Sequence, residues 1–184
     1  MIWQSLLWSL LFAFFKISES ANWKYELISL SSYSEDESKL KIETRIEHSK
    51  TNDISGGGDI YWMFEYNDDD VGELQIYRSP HGNADEFKPI PYAIPKTTLK
   101  EGIENYYDDM FYASVSHCSN LPKRSEFVND KIPQGHYEFR SCVINYKKLP
   151  QIMPEGVYKL IFTFTHDFKW GLEIVAKVTS RVLP

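Results

Sequence analysis

The sequence repeats one five-residue pattern, Pro-x-Gly-x-Tyr, at residues 133–137 and again at residues 154–158. Proline presets φ for a turn, and glycine adopts backbone conformations that other residues resist. The tyrosine then begins a run that favours a β-strand. The pattern therefore predicts a turn followed by a strand at both places. The chain between the two copies is long enough for one strand and one return loop. Two copies are too few for a repeat array.

Alternation of apolar and polar residues predicts further strands. It is clearest over residues 40–48, where Leu40, Ile42 and Ile46 alternate with charged residues. A period of two indicates a sheet with one solvated face. The same reasoning predicts strands at residues 23–33, 59–66, 71–78, 137–145, 157–165 and 170–182. We expect a chain break at the three glycines 56–58 and turns at 67–70, 79–82 and 166–169.

One segment changes from strand to helical spacing. Leu99, Ile103 and Met110 recur at that spacing, and Thr98 with Glu101 can form a capping box. A helix over residues 98–112 is predicted, although Gly102 weakens it. The three prolines in residues 83–96 favour a loop or an edge strand. Seven to eight strands with one helix indicate an all-β fold, a sandwich or an open cup.

The N-terminal run is apolar and is followed by small residues, which is typical of a secretory signal. We predict a signal peptide at residues 1–20 and a single domain over residues 21–184. An uncleaved membrane anchor is the alternative, but the run is shorter than the roughly 20 residues of a membrane span. The expected product is secreted and extracellular, without stable membrane insertion.

Net charge and cysteine content exclude some classes of partner and indicate the redox compartment. The formal net charge of -6 argues against nucleic acid as a partner and against docking to anionic membranes. The chain has 2 cysteines, Cys118 and Cys142. In an oxidising compartment such a pair is predicted to form a disulfide. Two free buried thiols are the alternative, and nothing marks either residue as a reactive thiolate.

No catalytic or metal-binding motif emerges. The five histidines do not fall at zinc-site spacing: His48, His81, His117, His136 and His166. His117 adjoins Cys118, but a structural role is the simpler reading. The acidic turn 67–73 lacks the order of a calcium loop and its bidentate glutamate. We therefore predict no enzyme activity, no cofactor and no metal.

Aromatic residues make up 15% of the chain and are the remaining candidates for function. Six rings on predicted strands could bind a ligand: Trp62, Phe64, Tyr66, Phe162, Phe164 and Trp170. The simpler interpretation is that they pack a solid core. The alternative is a cavity between sheets, because a cup lined by rings with few polar groups binds apolar molecules.

The C-terminal part also carries a set of family-like motifs. They are Cys118 with Leu121-Pro122, Pro133-x-Gly135-x-Tyr137, Leu149-Pro150, Pro154-Glu155-Gly156-x-Tyr158, and Trp170-Gly171, with Trp23-x-Tyr25-Glu26 near the start of the chain. Residues 118–182 with these motifs resemble the ML lipid-recognition superfamily. The resemblance is strongest to the ganglioside activator and to insect chemosensory proteins of the CheA and CheB type.

The resemblance implies a β-sandwich or cup with an apolar cavity, secretion and no catalysis. The function expected from it is binding of a lipid or hydrocarbon ligand in chemosensation, as in pheromone perception, with a receptor or channel as a candidate partner. Typical members carry several disulfides and this chain has one cysteine pair, which argues against the activator role itself. The alternatives are a secreted interaction module that modulates a receptor or channel without an internal ligand, and a small hydrolase with converging carboxylates.

Overall fold

Antiparallel strands dominate the computed structural model, which describes residues 22–48, 54–67, 69–143, 152–165 and 167–180. The predicted signal peptide, His166 and the Leu149-Pro150 motif lie outside these residues. The strands are β1 (Trp23–Ser34), β2 (Leu40–His48), β3 (Ile54–Trp62), β4 (Val71–Ser79), β5 (Lys88–Pro89), β6 (Ile94–Thr98), β7 (Gly135–Cys142), β8 (Gly156–Thr165) and β9 (Lys169–Ser180).

The strands form two sheets. The large sheet has the order β1-β9-β8-β4-β5, with β6 also paired to β4, and the small sheet has the order β2-β3-β7. The described strands do not close into a barrel, so the arrangement is that of a β-sandwich. The predicted all-β class with one helix is therefore confirmed. The proline-rich segment contributes the two short edge strands β5 and β6, as its composition indicates.

The helix α1 has three consecutive parts: α-helical Leu99–Gly102, π-helical Ile103–Tyr112 and α-helical Ala113–Val115. The predicted capping box is present, since Thr98 Oγ1 accepts from the Glu101 N–H at 3.2 Å while the Glu101 carboxylate accepts from the Thr98 N–H. Two 3₁₀ turns, Ala84–Glu86 and Arg124–Glu126, lie in the connecting segments. Among the described residues, no helix combines the length and the apolar character needed to cross a membrane.

Side-chain and main-chain bonds join the two sheets along their margins. On one side, Ser32 Oγ donates to Ile42 O at 2.9 Å and Thr44 Oγ1 donates to Leu30 O at 3.2 Å, which ties β1 to β2. On the other side, α1 leaves the edge strand β6 of the large sheet. The segment after α1 then pairs with β7, where Arg140 N–H donates to Cys118 O at 2.8 Å.

The prediction that glycines 56–58 break the chain is wrong. All three lie inside β3, the central strand of the small sheet, and β3 ends at Trp62, before Phe64 and Tyr66. Close approach requires glycine at Gly58, where a Cβ would stand 2.3 Å from the main-chain Glu43 O, whereas a Cβ on Gly57 would come closest to the flexible end of the Glu47 side chain, at 2.2 Å. Glycine in a strand often marks a site where another backbone comes this close.

Each Pro-x-Gly-x-Tyr phrase forms the same local bond. The buried Tyr158 hydroxyl donates to Pro154 O at 2.7 Å, and the buried Tyr137 hydroxyl donates to Pro133 O in the same way. The turn is thereby fixed to the strand that it begins, as in the tyrosine corners of other sandwiches. The glycines differ: Gly156 has φ +144 and a Cβ there would stand 2.6 Å from Ser79 O, so only this one is conformationally required.

Well-packed side chains occupy two clusters of the sandwich. The larger cluster holds a set of buried rings and one leucine: Leu40, Trp62, Phe64, Tyr66, Tyr137, Phe168 and Trp170. The smaller cluster holds Trp23, Tyr158 and Val178. The predicted strand alternation turns further apolar residues to the inside, but many of these, such as Leu30, Ile42 and Ile174, remain partly exposed. The interior is therefore not filled throughout.

An apolar cavity between the sheets

The unfilled interior is a cavity of about 390 Å³. Its walls are the inner faces of both sheets and one side of α1. The aliphatic part of the lining comprises Leu27, Leu30, Ile42, Ile54, Ile60, Leu74, Ile94, Leu99, Ile103, Val115, Leu121, Ile132, Leu172 and Ile174. This volume is within the range of pockets that hold small molecules, roughly 300–1,000 Å³.

Glycine helps to keep this space open. Gly56, Gly58 and Gly72 all line the cavity, so three inward positions carry no side chain. A Cβ on Gly72 would stand 2.7 Å from the Phe164 ring, and one on Gly56 would stand 3.3 Å from Leu30 Cδ2. Larger residues at these positions would displace the ring or the leucine that forms the wall. Because these positions carry no side chain, the Phe164 ring and Leu30 can occupy their places in the cavity wall.

Five of the six rings predicted to bind a ligand line the cavity: Trp62, Tyr66, Phe162, Phe164 and Trp170. The sixth, Phe64, lies in the adjacent core, stacked on Trp62 with ring centroids 4.7 Å apart and edge-on to Phe168 at 5.3 Å. Phe164 stacks on Trp170 at 4.0 Å, and Trp170 meets Trp62 edge-on at 5.6 Å. These contacts connect Trp62, Trp170 and Phe164 into one wall of rings, and whether the rings bind a ligand stays a prediction.

The helix α1 forms the wall that faces the sheets' open side. Ile103, Tyr107, Met110 and Phe111 line the cavity from this helix, and all four lie in its π-helical part. The Ala113 N–H donates to Asp108 O, five residues back, which is the π-helical pattern. Met110 and Phe111 also reach solvent, with exposed fractions of 36% and 40%. Met110 and Phe111 are therefore the most exposed lining residues of this helix.

Both ends of α1 are fixed. At its start, Leu99 N–H donates to Asp70 O at 2.8 Å. Beyond its end, Cys118 is bonded to Cys142 at the end of β7, with a Cα–Cα distance of 5.3 Å. The predicted disulfide is confirmed, and it joins the segment after the helix to the small sheet. Cys142 itself lines the cavity, so the bond is part of the wall.

Three tyrosine hydroxyl groups around the cavity are bonded to main-chain carbonyls. Tyr107 Oη donates to Pro122 O at 2.6 Å, Tyr66 Oη donates to Asp130 O at 3.0 Å, and Tyr137 Oη donates to Pro133 O. Burial raises the pKa of all three tyrosines above the ordinary value. These three tyrosines therefore stay protonated at physiological pH and carry no phenolate charge.

The carboxylates of the lining residues bond outside the cavity. Asp59 lies on the outer face of the small sheet, with Arg45 Nη1 at 2.7 Å and Arg140 Nη2 at 3.0 Å. Hydrogen bonds from Arg140 and then Arg45 hold the pKa of the Asp59 carboxyl far below its usual range. Glu43 pairs with Lys41 Nζ at 2.6 Å, and the Glu73 carboxylate accepts a hydrogen bond from Gln75 Nε2 at 3.3 Å. The described residues therefore do not bring carboxylates together inside the cavity, as a hydrolase would require.

One group of three metal-ligand side chains occurs among the described residues: Asp59, His136 and Glu138, with ligand atoms within 4.8 Å of one another. His136 Nε2 lies 2.9 Å from Asp59 Oδ1 and its ring stacks on Tyr61 at 4.5 Å. Two guanidinium groups already neutralise Asp59, and they would repel a cation. The group is better described as an ion-pair network than as a metal site.

Three of the other polar candidates have structural partners. His81 Nδ1 lies 3.1 Å from Glu86 Oε2 on the surface. Cys118 is in the disulfide, so it is not a thiolate ligand beside His117. In the acidic turn, the buried Asp70 accepts a hydrogen bond from the Asn67 N–H at 2.5 Å. This bond closes the turn. It also uses one of the carboxylate oxygens that a calcium loop would need as a ligand.

Sequence reasoning missed the aliphatic and glycine parts of the cavity. Alternation places Ile42, Leu172 and Ile174 on inner faces, but it does not tell whether the space beyond them is filled. The glycines in β3 and β4 were the usable signal, because small residues at inward positions leave room. The helical spacing of Ile103 and Met110 also predicts one apolar side of α1, which here faces the cavity.

Comparison with known protein families gives a match. Residues 72–160 match a family described as "Protein of unknown function (DUF1091)". The matched part is just under half of the chain and runs from β4 through α1 and β7 into β8. No curated protein matches the chain.

Proposed function

We propose that this protein is a secreted, non-enzymatic carrier that holds a lipid or hydrocarbon in the cavity between its sheets and acts in chemosensation. The observation that carries the proposal is the cavity itself: about 390 Å³ of interior space between two sheets, with an almost wholly apolar lining. A folded chain loses dispersion contacts around such a space. An apolar ligand would restore them.

The energetics require a long apolar ligand. Removal of apolar surface from water contributes about 25 cal/mol per Å². Association costs at least about 4 kcal/mol, and a Kd of about 1 μM needs roughly 8 kcal/mol net. A ligand must then bury on the order of 500 Å² of apolar surface. An extended acyl or alkyl chain offers surface of this kind, and the ring wall with its aliphatic neighbours offers the matching surface.

Two further features support a secreted carrier. The Cys118–Cys142 disulfide is of the kind that persists in oxidising compartments. The block from Cys118 onward resembles the ML lipid-recognition superfamily and its insect chemosensory members, and this resemblance is the basis for pheromone perception as the setting. A receptor or channel that takes over the ligand, or the loaded carrier, is the proposed partner.

Native mass spectrometry of the secreted protein tests the proposal. We expect one non-covalent adduct per chain that is lost on denaturation and recovered by extraction into organic solvent. A protein that runs only at its bare mass, and that also fails to bind an added apolar ligand, would contradict the proposal. That outcome would favour the alternative of an interaction module without an internal ligand.

A further inference from the structure

Hydrogen bonds within the protein occupy most of the hydroxyl groups in the cavity lining. Tyr66, Tyr107 and Tyr137 donate to main-chain carbonyls. The smaller hydroxyl residues of the lining are bonded as well: Thr44, Ser55, Thr97 and Thr98. Tyr25 also has an interaction within the protein. That leaves Tyr106, whose hydroxyl has no hydrogen-bond partner among the described residues.

Tyr106 is placed to offer this hydroxyl to a ligand. It lies in the π-helical part of α1, between the lining residues Ile103 and Met110, and is itself part of the lining. The residue is only partly buried, so it keeps surface that a ligand can contact. A tyrosine has an apolar ring with a polar tip, so the ring can join the apolar wall while the hydroxyl donates to a ligand.

The other unpaired groups of the lining are donors too. The indole N–H groups of Trp62 and Trp170 have no partner among the described residues, and an indole nitrogen only donates. Both nitrogen atoms are buried, so a ligand reaches them only if the rings shift. The partly exposed Tyr106 needs no such shift. The described lining therefore has donors that lack acceptors, and Tyr106 carries the accessible one.

We propose that the Tyr106 hydroxyl donates a hydrogen bond to an oxygen of the ligand, and that the ligand is an oxygenated apolar chain such as an ester, ketone or aldehyde. This inference rests on the proposed function, because it names the ligand class of the same site. A ligand carbonyl that leaves water loses its hydrogen bonds, and a bond from Tyr106 replaces one of them. A plain hydrocarbon would cover the hydroxyl without giving it an acceptor.

A matched ligand pair tests the inference. Methyl laurate and tetradecane have main chains of the same length and differ in the ester group. Each displaces the neutral fluorescent probe N-phenylnaphthylamine from delipidated wild type and from Tyr106→Phe, which lacks only the hydroxyl. We expect Tyr106→Phe to bind the ester about threefold to tenfold more weakly than the wild type does, the contribution of one neutral hydrogen bond. Its affinity for the alkane should be unchanged or higher.

A second tyrosine serves as the control. Tyr92 is 62% exposed and is not part of the lining, so Tyr92→Phe should leave both affinities unchanged. Unchanged ester binding by Tyr106→Phe, or an equal loss for ester and alkane, would overturn the inference and leave the proposed function standing. If the probe and both ligands fail to bind the wild type, the proposed function fails and the inference fails with it.

Infrared spectroscopy of the bound ester gives a readout that a change in packing alone would not move. A hydrogen bond to a carbonyl oxygen weakens the C=O bond and lowers its stretching frequency. In the wild type and in Tyr92→Phe, we expect a frequency below that of the ester in a hydrocarbon solvent. In Tyr106→Phe, the frequency should return towards the solvent value. A wild-type frequency equal to the solvent value would by itself contradict the bond.

Discussion

Filling the cavity should stabilise the protein. Ile174 lies on β9, faces the cavity and is partly exposed there. In Ile174→Trp, the larger ring has about 390 Å³ of free space to enter. If the ring buries about 60 Å² more apolar surface, the gain is about 1.5 kcal/mol at about 25 cal/mol per Å². A solid core would give the opposite sign, because overpacking costs about 1–3 kcal/mol.

The assay is chemical denaturation of delipidated protein, since a bound ligand would stabilise the wild type by mass action. A higher midpoint with an unchanged slope indicates a change in stability alone. The matched control is Val175→Trp, one residue along β9, where the side chain lies on the outer face beside Ile28. We expect little change in that control. Destabilisation of Ile174→Trp by 1 kcal/mol or more, roughly the cost of overpacking, would refute the cavity as described.

Three further predictions concern the disulfide, the two tyrosine hydrogen bonds and the ion pairs of Asp59. Replacing Cys118 and Cys142 by alanine opens a loop with a sequence separation of 24 and should cost about 3.4 kcal/mol in denaturation experiments; a loss below about 1 kcal/mol would contradict this. Tyr137→Phe and Tyr158→Phe should each cost about 1 kcal/mol in the same experiments, and a cost in only one of them would show that the two phrases are not equivalent. Asp59→Asn should lower stability at neutral pH, and by progressively less as the pH falls below about 4. The depressed pKa of Asp59 means that its ion pairs contribute fully above its ordinary pKa and are lost only as the pH falls toward the depressed value; equal pH profiles for variant and wild type would refute the role of these pairs.

Patterns within a short stretch of sequence predicted the elements whose bounds depend on neighbouring residues. The alternation from Leu40 to His48 gives β2 at its observed bounds, and the capping box places the start of α1 after Thr98. The strand with the three glycines was predicted at the wrong residues, because glycine is required there by a contact with another strand and not by neighbouring residues. Gly58 must admit the backbone of β2, and nothing near it in sequence records that contact.

The candidate site was predicted only in part for a similar reason. Alternation identifies which rings face inward, and five of the six do line the cavity. It cannot tell that Phe64 packs against Trp62 and Phe168 while Phe162 borders open space. That difference depends on how far apart the two sheets stand. That separation depends on contacts between parts of the chain that are far apart in sequence, such as the bonds between β1 and β2.

The central claim is that the space between the sheets is a ligand site, and a fluorescence titration tests it most directly. N-phenylnaphthylamine is added to delipidated wild type, to Ile174→Trp and to Val175→Trp. The account predicts saturable binding of one probe per chain to the wild type and to Val175→Trp, with at least about tenfold weaker binding to Ile174→Trp. Equal binding to all three proteins, or none to any of them, would contradict it.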